Sequence, residues 1–81
     1  MPVVLVNTDY ISGKTVETVG MVYGTRASFF GTEDDNTKMA IDRMIWQANQ
    51  LGADGIVNVR FSNSWAYAVV SGTAVKFVQQ N

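Results

Sequence analysis

The sequence of 81 residues contains no cysteine and no histidine. The lack of cysteine excludes disulfide bonds and thiol nucleophiles, and the lack of histidine removes the commonest acid–base group near neutral pH. The thiolate and imidazole ligands of zinc sites are missing for the same reason. These absences predict a protein that is not an enzyme and that holds no soft metal and no cofactor.

Charge is also scarce, with 6 Lys and Arg against 7 Asp and Glu and a net charge of −1. Charged residues make up 16 % of the chain, whereas an average soluble domain has roughly 25 %. The basic residues are scattered singly, which argues against nucleic acid as a partner. No apolar run approaches the length of a membrane span, and the first residues lack the pattern of a signal peptide. We therefore expect no membrane partner and a cytoplasmic location.

The length predicts one domain over residues 1–81. A domain this small buries only about 60 % of the surface that its unfolded chain exposes. Small domains compensate with disulfides, metals or partner subunits. Since the first two are missing, the composition predicts self-association.

Apolar patterning predicts four strands and one helix. The helix is indicated by apolar residues that recur every three or four positions, followed by Gly52 as its C-cap. Those apolar positions are Ile41, Met44, Ile45, Ala48 and Leu51. The predicted strands are 3–6, 15–27, 55–62 and 65–78, and the predicted helix is 36–51. The expected fold is α+β, an antiparallel sheet with one α-helix packed on it, in the order β-β-α-β-β.

Met39 and Trp46 point away from the apolar face of the predicted helix. They lie either beneath Phe29 and Phe30, in a contact between subunits, or against a planar ligand. Trp65, at the start of the last strand, is a further candidate for subunit contact or ligand stacking.

Three glycines interrupt the predicted strands, at Gly20, Gly24 and Gly72. A glycine inside a strand suggests a bulge or the close approach of another backbone. Gly72, within 71–73, predicts a bulge in the last strand.

The acidic residues near the helix are Glu33, Asp34, Asp35 and Asp42. As ligands they would suit a hard cation such as Ca²⁺ or Mg²⁺. The alternative is that they cap the helix and line a solvated loop. They are weak candidates for a metal site.

Three parts of the sequence carry a resemblance to a known family. Residues 11–16 (ISGKTV) lead into 20–24 (GMVYG), residues 48–57 (ANQLGADGIV) follow the helix, and residues 70–76 (VSGTAVK) belong to the last strand. Together they resemble the YbjQ-like family, whose usual label is "putative heavy-metal-binding domain". The resemblance covers residues 11–76.

The resemblance implies small α+β subunits that assemble as a ring, a homopentamer, in a protein of unknown biochemical role. Longer members of the family insert a segment between the second strand and the helix, where this chain has only residues 27–37. The lack of cysteine also argues against the family label. The sequence thus predicts a non-enzymatic, ring-forming scaffold or small-ligand binder, with a metal-ion or planar-cofactor binding protein as the alternative.

Overall fold

The computed structural model describes residues 3–27, 33–64 and 66–78, and within them the chain forms four strands and one helix. The strands are β1 (Val4–Leu5), β2 (Thr15–Ala27), β3 (Gly55–Asn63) and β4 (Tyr67–Val78), and the helix is α1 (Glu33–Gln50). The predicted α+β class and the order β-β-α-β-β are confirmed.

The sheet has the strand order β1-β3-β4-β2. β4 pairs antiparallel with β2 and with β3, as predicted. β1 departs from the antiparallel prediction because it runs parallel to β3, with Val4 opposite Gly55. The pairing is held by the Val4 amide, which donates to the Asp54 carbonyl at 3.2 Å, and by the Val6 amide, which donates to the Ile56 carbonyl at 3.0 Å.

The main core lies between α1 and one face of the sheet, which we call the inner face. The helix contributes Ala40, Met44 and Ala48, each at most 1 % exposed. Ile41 and Ile45 are only half-buried where they pack against this core, and Leu51 is exposed. The buried side of α1 is therefore rotated toward Ala40 relative to the predicted face.

A second, smaller core covers one half of the opposite face, the outer face. Ile11, in the loop between β1 and β2, is buried against Val57 and Val75, with Val16 and Phe77 at its margin. This loop ends in a turn in which the Lys14 amide donates to the Ile11 carbonyl at 3.1 Å. Residues 7–14 thus cover the outer face at the end of the sheet where β2 begins.

Two bulges change which side chains face the helix. β2 is irregular between Thr18 and Gly20, so Val16 joins the outer core whereas Val19 joins the inner one. β3 is irregular between Val57 and Arg60. The bulge predicted at 71–73 in β4 is wrong, because the extra residue lies in β3, opposite that segment.

The three strand glycines differ in how tightly they are packed. A Cβ on Gly24 would collide with the Ala40 carbonyl of the helix, and a Cβ on Gly72 would lie 2.5 Å from Ile56 Cγ2. A Cβ on Gly20 would meet only Leu51 Cδ1, at 3.6 Å, which is an ordinary van der Waals distance. A Cβ on Gly72 would also lie 3.1 Å from the Val57 carbonyl oxygen, so another backbone approaches closely at both Gly24 and Gly72. Gly20 lies next to the bulge in β2.

Candidate functional site

The outward side of α1 carries an exposed apolar pair. Met39 is 39 % exposed and Trp46 is 65 % exposed, and their spacing of seven residues places them on one stripe of the helix. Asp35 and Asp42 occupy the same stripe, and both are exposed. We refer to Met39 and Trp46 as the helix patch. Phe29 and Phe30, which were considered as a cover for it, lie outside the described residues.

A second apolar surface lies on the outer face of the sheet, beyond the half that Ile11 covers. Met21, Tyr23 and Tyr67 are 79 %, 59 % and 54 % exposed, and we call them the sheet patch. Cross-strand pairing places all three on this face, with Met21 opposite Thr73 and Tyr23 opposite Ser71.

The strand register explains why this half of the outer face is open. The loop 7–14 reaches the rows that contain Val75 and Phe77 and ends there. Farther along the sheet, the neighbouring residues of the outer face are polar or only half-buried. Examples are Arg60 of β3 and Ser71 of β4, which lie opposite each other. The sequence gave no sign of where this cover stops. The alternation of Met21, Tyr23 and Thr25 along the strand was the available indication that these side chains share one face.

The structure describes the side chains of only two of the four predicted acidic ligands, Asp35 and Asp42. The described part of the chain contains no group of three or more acidic, histidine or cysteine residues placed to hold an ion. Asp35 and Asp42 lie on the exposed stripe of α1, while the side chains of Glu33 and Asp34 are outside the description, as is Trp65. Heavy metals favour thiolate and imidazole ligands, and the sequence has neither, so its residues do not fit such an ion.

The segment 48–57 has a structural role at the end of the helix. Gly52 has a φ of 71°, and its amide donates to the Asn49 carbonyl at 3.0 Å. The Ala53 amide donates to the Ala48 carbonyl, also at 3.0 Å. These two bonds are those of a Schellman motif, which ends a helix with a glycine in the left-handed conformation. β3 begins at Gly55, three residues after Gly52.

Asp54, the residue before β3, fixes the chain to two other strands. Its carboxylate Oδ2 accepts a hydrogen bond from the Phe77 amide at 2.9 Å, and its own amide donates to the Val75 carbonyl at 2.9 Å. The segment therefore sets the position of the helix end against β4.

No helix within the described ranges is both long and apolar enough to span a membrane.

Residues 31–78 match a family model described as YbjQ, "putative heavy-metal-binding". The match covers α1, β3 and β4, which contain two of the three segments singled out in the sequence. The UPF0145 protein of Clostridium novyi is 32 % identical over 102 aligned positions, which cover 93 % of this chain and 99 % of the relative. A UPF0145 protein of Alkaliphilus metalliredigens is 33 % identical with the same coverage. The alignments are longer than this chain, so both relatives have residues without a counterpart here.

The fold also matches a solved structure. A protein of unknown function from Pediococcus pentosaceus, of the DUF74 family, superposes with a TM-score of 0.78 over 94 % of this chain and 98 % of the other. The two are 14 % identical, so this likeness concerns the fold.

Proposed function

The chain belongs to the YbjQ-like family, and we propose on that basis that it is a ring-forming homo-oligomer that serves as a scaffold or small-ligand binder rather than as an enzyme. The count of subunits that we propose is five. The observation that carries the proposal is the pair of exposed apolar patches, one on the helix layer and one on the outer face of the sheet.

The position of the two patches suits a ring. A closed ring with an odd number of identical subunits needs a heterologous interface, in which one surface of each subunit meets a different surface of the next. The helix patch and the sheet patch are two different surfaces on opposite layers of the subunit. Burying aromatic and methionine side chains between copies would provide the stabilisation that a small, undercharged domain gains from association.

The residue inventory supports a role without catalysis. Serine and threonine hydroxyls need a neighbouring base to act as nucleophiles, and the sequence contains no histidine. The exposed patches, in contrast, are apolar surfaces of the kind that mark contacts with other molecules.

Native mass spectrometry of the protein from its own source tests the proposal. We expect a species of five 8.9 kDa chains and a shift toward smaller species in Trp46→Ala. The matched control is Lys38→Ala, which alters an exposed polar residue of the same helix away from the stripe of Met39 and Trp46 and should leave the assembly unchanged. A stable wild-type monomer at micromolar concentration contradicts the proposal.

The same measurement addresses the alternative, a metal-ion or planar-cofactor binding protein. The family description favours a metal, and exposed Asp35 and Asp42 would be repeated around a ring. Carboxylates would select hard cations such as Ca²⁺ or Mg²⁺. Retained mass in the native spectrum, metal found by elemental analysis, or absorbance above about 300 nm, beyond the indole band of tryptophan, would favour this alternative.

A further inference from the structure

The free edge of β2 is covered by two side chains from the helix. β2 lies at the end of the sheet, with β4 on one side only. Gln47 Oε1 accepts a hydrogen bond from the Tyr23 amide at 2.8 Å, and Arg43 Nη1 donates to the Thr25 carbonyl at 2.6 Å. We infer that this edge of β2 is a self-pairing surface, complementary to the same edge of a second copy, and that Arg43 and Gln47 hold it closed.

The bonded groups are those that an added strand would use. In an antiparallel ladder, the amide and the carbonyl of one residue point to the same side. The Tyr23 amide and the Thr25 carbonyl bond to the helix and not to β4, so the backbone polar groups of both residues point outward. We call Arg43 and Gln47 the guard residues. Each of them bonds to a backbone amide or carbonyl of a residue that an incoming strand would pair with.

The spacing of the guard residues matches the spacing of the strand. Arg43 and Gln47 are four residues apart, which is about 6 Å along a helix, and Tyr23 and Thr25 are two residues apart, which is about 6.6 Å along a strand. The later helix residue bonds to the earlier strand residue, so α1 runs antiparallel to β2.

Gly24, between the two bonded strand residues, lies close to the helix backbone at Ala40. Ala40 lies one turn before Arg43 and two turns before Gln47, which places both side chains along the strand edge. The glycine thus allows the helix to lie near enough for short contacts to the edge.

The sequence of β2 makes an unguarded edge prone to pairing. The strand has 13 residues, TVETVGMVYGTRA, with charged side chains only at Glu17 and Arg26 and no proline. Long edge strands that are rich in β-branched residues and low in charge pair readily with other strands. Pairing of the segment 20–26 with its own copy in antiparallel register would place Tyr23 against Tyr23, without opposing like charges at that point.

The inference is independent of the proposed ring, because the guard contacts lie within one subunit. Its test compares Arg43→Ala/Gln47→Ala with the matched double variant Lys38→Ala/Gln50→Ala. Both remove one positive charge and one side-chain amide from the same helix. Circular dichroism first establishes that each variant is folded. If the guard double variant is unfolded, the single variant Gln47→Ala takes its place in every measurement.

The direct readout is hydrogen exchange at the Tyr23 amide, followed by NMR. We expect the exchange to be about tenfold faster or more in the guard variant than in the control, because the amide loses its acceptor. The second readout is sedimentation together with thioflavin fluorescence, where we expect concentration-dependent, strand-mediated association in the guard variant alone.

A third variant adds Thr25→Pro to the guard variant. Proline is tolerated on an edge strand where the missing amide points outward, and it blocks strand addition. We expect it to abolish the new association. Unchanged exchange at Tyr23, association equal to that of the control, or association that persists with Thr25→Pro would each overturn the inference.

Discussion

Asp54 connects three strands through a single residue. It is at the entry to β3, its carbonyl accepts from the Val4 amide of β1, and its carboxylate accepts from the Phe77 amide of β4. Its own amide donates to β4 as well. An aspartate side chain at this point replaces a backbone acceptor that the sheet lacks where β3 begins.

We predict that Asp54→Ala lowers the free energy of unfolding by about 1–3 kcal/mol, because the Phe77 amide loses a charged acceptor in a part-buried position. Asp54→Asn keeps an oxygen acceptor of the same reach and should cost less than half as much. Urea denaturation measures both values. Equal losses in the two variants would show that the side-chain acceptor is not what stabilises this junction.

The packing of α1 against β2 depends on the absence of a side chain at Gly24. Gly24 faces the helix backbone at Ala40 and Met44, and a Cβ there would collide with main-chain atoms, which cannot rotate away. Gly20, on the same strand, faces only the flexible end of Leu51. The two glycines look equivalent in the sequence and differ in the structure.

We predict that Gly24→Ala lowers the melting temperature and that Gly20→Ala does not. Gly24→Ala should destabilise the protein by about 1–3 kcal/mol, since it overpacks the helix–sheet contact. Gly20→Ala should be neutral or stabilising by up to about 1 kcal/mol, because alanine restricts the unfolded chain. Thermal unfolding followed by circular dichroism compares the two. A comparable loss in both would contradict the difference in packing.

Local patterns were sufficient to predict most elements. β-branched residues marked β2 over 15–27, and Gly52 marked the end of the helix, because both depend on a residue and its near neighbours. The bulges were not predictable in the same way. An extra residue in β3 is defined only relative to β4, so the sequence showed a glycine at position 72 and could not show which strand bulges.

The helix patch and the sheet patch differ in the same respect. Helical periodicity alone places Met39 and Trp46 on one outward stripe. Whether Met21 and Tyr23 are covered depends on how far the loop 7–14 extends over the sheet, and that is decided by the burial of Ile11 against distant strands. The parallel pairing of β1 is also a contact between distant residues, so alternation within β1 could not indicate it.

At the scale of the whole molecule, the proposed assembly couples stability to concentration. An oligomer that dissociates on unfolding is stabilised by mass action, whereas a monomer is not. We predict that the melting temperature of the wild-type protein rises over a roughly hundredfold increase in concentration and that Trp46→Ala removes most of this dependence. Scanning calorimetry measures the trend, with Lys38→Ala expected to behave as the wild type. A melting temperature that is independent of concentration in the wild type would argue for a monomer.

The bulge in β2 exchanges the faces of the sheet on which the odd-numbered and even-numbered residues lie. Before it, even-numbered residues such as Val16 face the outer core, and after it, even-numbered residues such as Val22 face the helix. Deleting Val19 would remove the extra residue and leave the later side chains on their present faces, because Thr18 and Gly20 already pair with consecutive residues of β4. Regular pairing with Val19 kept would instead turn Tyr23 toward the helix and Val22 toward water. One residue thus decides which surface of the sheet the protein presents to its surroundings.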